Sequence, residues 1–173
     1  MIKHADTIVA ISGSSRRHSS NEFLLKYLQA NSKKTIEIDS GIHNLPLFSA
    51  AADQHPWPKE VLEWRKMVSK SKALIICTPE YLHNLPASIK NALEWLASSG
   101  ELDGKPVLPI TFTPAIPRGQ KAMKSLLWSL EALNAQIVTQ LDLYKTEIKI
   151  EGQLAIINEP EAKLISAALN LLS

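Results

Sequence analysis

Cysteine is nearly absent from this chain. Cys77 stands alone among 173 residues, which excludes an internal disulfide framework and fits a reducing compartment. Charge of one sign is scarce too, since 19 Lys and Arg against 17 Asp and Glu leave a net charge of +2. That balance gives no basic footprint for nucleic acid, and no long run of like charge marks an interaction tail. No apolar run approaches the roughly 18–20 residues of a membrane span. The opening stretch Met1-Ile2-Lys3-His4-Ala5-Asp6 has no secretory hydrophobic region, so the expectation is a cytoplasmic protein that engages neither nucleic acid nor membrane. His4, His18, His43, His55 and His83 share no metal-ligand spacing and have no cysteine partner, so no metal is expected. Neither G-x-x-x-x-G-K-[ST] nor G-x-G-x-x-G occurs, which removes the triphosphate loop and the dinucleotide fingerprint.

What is present is a chain of 45% hydrophobic residues, of a size for one domain over residues 1–173. Short apolar runs alternate with helical patterns. Thr7–Ser12, Thr35–Ile38, Ala73–Thr78, Pro106–Thr113 and Gln136–Thr139 read as strands. In the fourth, Pro109 cannot donate to a ladder, so pairing is expected from Ile110. Helices are expected from near Glu22, over Lys59–Lys72 with Val61, Leu62, Arg65 and Val68 facing inward, and over Ala87–Ser98 and Gln120–Leu133. A last one, Glu161–Leu172, is started by Pro160. Ser40–Pro58, with three prolines, reads as a long surface loop. This alternation predicts a doubly wound parallel α/β sheet that binds ligands outside the carboxyl ends of its strands.

That rule gathers three loops into one site: Gly13–Asn21, Pro79–Pro86 and Pro114–Gly119. The first joins a strand to a helix and carries Ser14, Ser15, Arg16, Arg17, His18, Ser19, Ser20 and Asn21. Free N–H groups and the positive end of the helix dipole there favour an anion, and hydroxyls, an amide and a guanidinium complete the cradle. Ser14, Arg16, Ser19 and Asn21 fit a single terminal phosphate. Ser15 and Ser20 read equally well as solvated hydroxyls or a helix cap. Only four arginines exist, and Arg16, Arg17 and Arg118 all fall in these loops. Arg17 and Arg118 are either solvated charges or contacts to a second phosphate-bearing ligand, with NADPH expected over NADH in the latter case.

Gly13-Ser14-x-Arg16-x-x-Ser19-x-Asn21, Pro79-Glu80-Tyr81 and, after Pro86, Ile89-Lys90-Asn91-Ala92-Leu93-Glu94-Trp95 together resemble the NAD(P)H-dependent FMN reductase family. The resemblance implies a flavodoxin-like three-layer sandwich with a five-stranded parallel sheet in the order 2-1-3-4-5. It also implies non-covalent FMN, reduction by NADPH or NADH, and a flavin, quinone, azo or metal-oxyanion acceptor. Ser14, Arg16, Ser19, Ser20 and Asn21 would then hold the FMN phosphate. Pro79, Glu80, Tyr81, Leu82, Asn84 and Gly119 would lie along the flavin ring, and Arg17 and Arg118 would bind substrate. The family usually has Asn where this chain has Leu82, and a glycine-rich third loop where this chain has Pro114-Ala115-Ile116-Pro117-Arg118-Gly119.

Because the flavin carries the reaction in such a family, no catalytic side chain is expected. Cys77 reads as a small packed hydrophobe. His18 and His83 sit in site loops, and each either touches ligand or stays solvated. Trp57, Trp64, Trp95 and Trp128 are expected to pack helices on the sheet. Family members commonly complete the flavin site with a neighbouring chain, so Trp95 and Trp128 are also candidates for the contact of a homodimer or homotetramer. Two rivals stand beside the reductase. One is a flavodoxin-type electron carrier, against which the +2 charge counts because such carriers are acidic. The other is a flavin-free phosphate-ligand protein.

Overall fold

The computed structural model describes residues 7–172; the Met1–Asp6 reading and His4 lie outside the described residues. β1 (Thr7–Ser12), β2 (Thr35–Asp39), β3 (Ala73–Thr78) and β4 (Pro106–Thr113) form a parallel sheet in the order β2-β1-β3-β4. The position outside β4 is shared by β5 (Gln136–Ile137) and β6 (Leu141–Tyr144), both parallel to it. The order 2-1-3-4-5 of a flavodoxin-like fold is therefore present, with the fifth strand broken in two.

Helices cover both faces because the strands are apolar on both. Ile8, Ala10, Ile75 and Cys77 face α1 (Ser20–Asn31) and α5 (Glu159–Asn170), burying Leu24, Leu28, Ile165 and Leu169. Their neighbours in sequence, Val9, Ile11, Leu74 and Ile76, point the other way. They pack on α2 (Lys59–Lys70), α3 (Ala87–Glu94) and α4 (Gln120–Ala132) through Val61, Trp64, Ile89 and Leu126. Each such aliphatic side chain contributes about 1.5–3 kcal/mol on burial.

Several expectations are corrected. Pairing of β4 with β3 begins at Val107, opposite Leu74, and with β5 at Pro106, opposite Gln136, not at Ile110. In a strand the N–H and C=O of one residue point to the same side, and successive residues alternate. Val107 and Thr113 turn their carbonyls to the outer side, where Val138 and Lys145 donate at 3.1 and 2.9 Å. Pro109 has the same parity, so its missing N–H falls in the break between β5 and β6. Leu62 is 45% exposed, and the buried stripe of α2 is Val61, Trp64, Arg65 and Val68, spaced i, i+3, i+4, i+7. Trp128 does not pack on the sheet and is 61% exposed. The third helix ends at Glu94, with turns carrying Leu96 into the core. The last helix starts two residues early because Asn158 caps it by accepting from Glu161 N at 3.3 Å. An antiparallel hairpin, β7 (Ile148–Glu151) and β8 (Leu154–Ile157), was not expected.

Candidate cofactor site

The carboxyl ends of β1, β3 and β4 open on one cleft of about 380 Å³. It is lined by Ser14, Arg16, Ser19, Ser20 and Asn21 from the first loop, Pro79, Glu80 and Tyr81 from the second, and Pro114 and Arg118 from the third. Phe112, Thr113 and Lys145 complete it.

The first loop is placed by Gly13, whose N–H donates to Cys77 O at 2.8 Å. A Cβ there would lie 2.6 Å from Thr78 Oγ1 and 2.7 Å from Ile89 Cγ1, so only glycine lets the loop pass between β3 and α3. Ser19 caps α1, its Oγ accepting from Glu22 N at 3.2 Å. Its hydroxyl proton stays free for an anion. The N–H groups of Ser20 and Asn21 stand in the first turn, where a helix has no internal acceptors. The cap is thus Ser19, not Ser15 or Ser20. The Asn21 side chain is turned inward, donating to Phe112 O at 3.3 Å and accepting from Cys77 Sγ at 3.2 Å. Its contribution to an anion site is its backbone N–H. Cys77 is fully buried, and burial pushes its thiol far above the ordinary range.

In the second loop Tyr81 and Asn84 exchange backbone hydrogen bonds of 3.0 and 2.9 Å, with Leu82 and His83 at positive φ on the tip of the turn. This folds Tyr81 toward the cradle, its hydroxyl 3.5 Å from Ser14 Oγ. Leu82 is fully exposed, and neither it nor Asn84 lines the cleft. Asn84 accepts from Leu85 N at 2.8 Å instead. His83 lies 3.4 Å from Glu80 Oε1, and His18 donates its N–H to Glu22 at 2.9 Å; neither lines the cleft.

Glu80 has a place that its sequence position did not show. Its Oε2 accepts the N–H groups of Gly119, Lys121 and Ala122 at 3.1, 3.1 and 3.2 Å, capping α4. Burial raises its carboxyl, but the N–H of Ala122, His83 and the other two N–H groups outweigh that and hold it below the ordinary glutamate range. Gly119 stands behind the cleft as the N-cap residue of α4, at φ 103°, and a Cβ there would come within 3.0 Å of Thr111 Oγ1. Thr113 Oγ1 donates to Arg118 O at 2.8 Å and Arg118 N to Ala115 O at 3.0 Å, closing the third loop.

The cleft therefore has three cations, Arg16, Arg118 and Lys145, against one carboxylate. That carboxylate is spent on α4, which leaves an anion-binding surface beside the flat side chains of Tyr81, Pro79 and Pro114. Lys145 escapes the sequence reading because a fifth strand ending at Thr139 leaves no carboxyl end beside it, and the rule for carboxyl ends finds it with β6 in place; Thr113 is the last residue of β4, one short of the loop taken to begin at Pro114. Arg17 is not brought in, and lines an adjoining cleft with Asp39 and His43. Trp95 is fully buried, its Nε1 donating to Pro46 O at 2.8 Å, so it is core and not a subunit contact. Among the described residues no cluster could hold a metal ion, and no helix is long and apolar enough to cross a membrane.

This sheet order, with an anion cradle at the first helix and a basic, flat-walled cleft beside it, defines a flavodoxin-like cofactor-binding protein. Residues 7–146 match the NADPH-dependent FMN reductase family, and the chain belongs to that family. It is 28% identical over 138 residues to the quinone reductase of Escherichia coli K12, covering 77% of this chain and 73% of that protein. It is 36% identical over 102 residues to an NADH:(hydroxy)cinnamate reductase subunit of Vibrio ruber, covering 58% and 50%, so the chain spans half the length of that relative. The flavoenzyme NAD(P)H:(acceptor) oxidoreductase FerB of Paracoccus denitrificans shares the fold, with a TM-score of 0.76 at 24% identity over 96% of this chain and 94% of that one. Family membership makes the chain an oxidoreductase with FMN as cofactor and a reduced nicotinamide as reductant. The residues present fit that cofactor at its phosphate end, where the free N–H groups, the Ser19 hydroxyl and Arg16 converge.

Proposed function

We propose that the chain binds FMN in this cleft and passes electrons from NADPH or NADH to a small oxidised acceptor, a quinone, azo compound, flavin or metal oxyanion. The observation that carries the reading is the meeting of the Ser14–Asn21 cradle with Tyr81, Phe112, Thr113 and Arg118 around one cleft. The bound flavin supplies two-electron chemistry, and the protein supplies orientation and electrostatics. Arg16, Ser14, Ser19 and the first-turn N–H groups bind the phosphate as charge-assisted donors. Pro79, Tyr81 and Pro114 form walls for a planar ring and exclude water from it. Glu80, through α4, fixes the loop carrying Arg118. Arg118 and Lys145 hold anionic parts of the reductant, and no side chain acts as nucleophile or proton donor.

We further propose that residues 1–173 work as one FMN-binding domain, cytoplasmic in keeping with its single buried thiol, and that it assembles as a homodimer or homotetramer. Arg16→Ala should weaken FMN about ten- to a hundredfold with little loss of fold, the worth of a charge-assisted bond of about 1.5–3 kcal/mol. Riboflavin should bind the unaltered chain poorly, and equal affinity for FMN and riboflavin would end the reading. Bleaching of the flavin spectrum by NADPH separates a reductase from an electron carrier.

A further inference from the structure

The cofactor cleft holds more positive charge than FMN neutralises. Arg16, Arg118 and Lys145 line it. Its single carboxylate, Glu80, accepts three N–H groups at the start of α4 and lies 3.4 Å from His83 Nδ1. With FMN bound as proposed, Arg16 meets its phosphate from the loop before α1, and the other two cations stand outside that cradle. Lys145 follows the carboxyl end of β6, and its backbone N–H donates to Thr113 O at 2.9 Å, continuing the ladder to β4. Its side chain is exposed, and no ion pair of it is found among the described residues. Asp142, the acid three residues before it, is taken by Thr111 Oγ1 at 2.7 Å and by Gln140 Nε2 at 3.3 Å. The ammonium is therefore a free charge on a fixed base at the wall of the cleft.

Reductant and acceptor must each reach the same flavin ring, so they enter the one cleft by turns. While the reductant is bound, its phosphates answer Arg118 and Lys145. Once it leaves, the lysine has three donors and no acceptor. A neutral acceptor leaves that charge to water, whereas an anionic one gains a charge-assisted hydrogen bond. We infer that the acceptor is an anionic quinone, one bearing a carboxylate or sulfonate, and that Lys145 holds that group. The inference rests on the reading of the cleft as an FMN site and names the substrate class of that site. In the reaction the quinone takes up a hydride that originates in the reductant and a proton from water, and leaves as a hydroquinone. The carboxylate or sulfonate is untouched, so Lys145 acts in binding alone.

The test is calorimetric titration of benzoate, and of its neutral analogue benzamide, into the oxidised FMN-loaded chain, where neither is reduced and the cradle is filled. Benzoate is expected to bind with a Kd of about 0.1–10 mM. That is about three- to tenfold tighter than benzamide, with the gap closing at high salt. Lys145→Met should bring benzoate to the level of benzamide, and Lys145→Arg should keep the gap. Lys145 is exposed, and both substitutions retain its backbone N–H, so the variants should fold. In steady state with the reductant saturating, the ratio of kcat/KM for a naphthoquinone sulfonate over the parent naphthoquinone should fall by a similar factor in Lys145→Met, through KM. Equal binding of benzoate and benzamide to a chain that holds FMN overturns the inference, as does a gap that Lys145→Met leaves unchanged. A chain that binds no FMN overturns the reading beneath it as well.

Discussion

The Glu80 carboxylate accepts the N–H of Gly119 at 3.1 Å, so the loop after β3 caps the helix after β4. Two further N–H groups of α4 share the same oxygen. The positive end of α4, which in isolation would attract a ligand anion, is thereby neutralised from within. The two loops that wall the cleft are fixed to each other instead of moving separately.

Glu80→Ala should therefore lower stability by about 0.5–2 kcal/mol, the cost of a lost helix cap. Hydrogen exchange of Gly119, Lys121 and Ala122 should quicken in the flavin-free chain. The pH dependence has a definite sign. Because the folded carboxyl lies below its ordinary value, its stabilisation is present above the ordinary glutamate range and is lost as pH falls through the folded pKa. Thermal melts of the parent and the variant should converge at acid pH. A difference that grows on acidification would contradict this account.

Most of the fold was legible because strands buried on both faces must be nearly all apolar, as Ala73–Thr78 is, and that signal is local. The break in the outer strand was not, since Thr139 and Gln140 carry no turn residue. The hairpin does leave a trace, alternating Ile148 and Ile150 before a turn at Gly152. The anion cradle was readable from its loop. Asn21 and Glu80 are placed differently by the structure, because each answers to a partner distant in sequence, Phe112 O and the start of α4, while Arg17 lines the adjoining cleft. The proposed phosphate contacts of Ser14, Arg16 and Ser19 depend only on local order.

Arg65 should be the most costly single arginine to remove. Buried at 4% exposure, it donates to Trp95 O at 2.9 Å, Asp53 Oδ1 at 2.8 Å and Ser98 Oγ at 3.1 Å, tying the long loop to α2 and to the end of α3. The Ser98 hydroxyl first, then Arg65, against burial, hold the Asp53 carboxyl below its ordinary range. Arg65→Ala strands that carboxylate, and a loss of about 3–5 kcal/mol is expected. Urea unfolding measures it, and a cost below about 1 kcal/mol would place the pair among surface ion pairs.

Assembly turns on Trp128. It is 61% exposed on α4 with Lys124 Nζ 5.1 Å from its ring, and Ile116 in the third loop is 67% exposed. Large aromatics left in solvent are typical anchors of interfaces. Light scattering at micromolar concentration should show at least a dimer, shifted toward monomer by Trp128→Glu. A monomeric parent chain would refute the assembly, and an unshifted variant would move the interface elsewhere.

The choice of reductant is argued from Arg118. With Arg17 placed in the adjoining cleft, Arg118 is the arginine beyond the cradle that still lines the cofactor cleft. Its own backbone is held on both sides, by Thr113 Oγ1 at its carbonyl and by Ala115 O at its N–H, so the guanidinium starts from a fixed base. A guanidinium matches a phosphate monoester in shape and charge, and the 2′-phosphate is the group that NADPH has and NADH lacks. One such contact is worth about 1.5–3 kcal/mol, so kcat/KM should favour NADPH by about tenfold or more. Arg118→Ala should bring the ratio close to one, mainly through KM for NADPH, while FMN occupancy stays high. Thr113→Val, which frees the loop but keeps the charge, should lower the ratio only part of the way. If steady-state kinetics with either nicotinamide show the ratio unmoved by Arg118→Ala, the 2′-phosphate is bound elsewhere and Arg118 is a solvated loop charge.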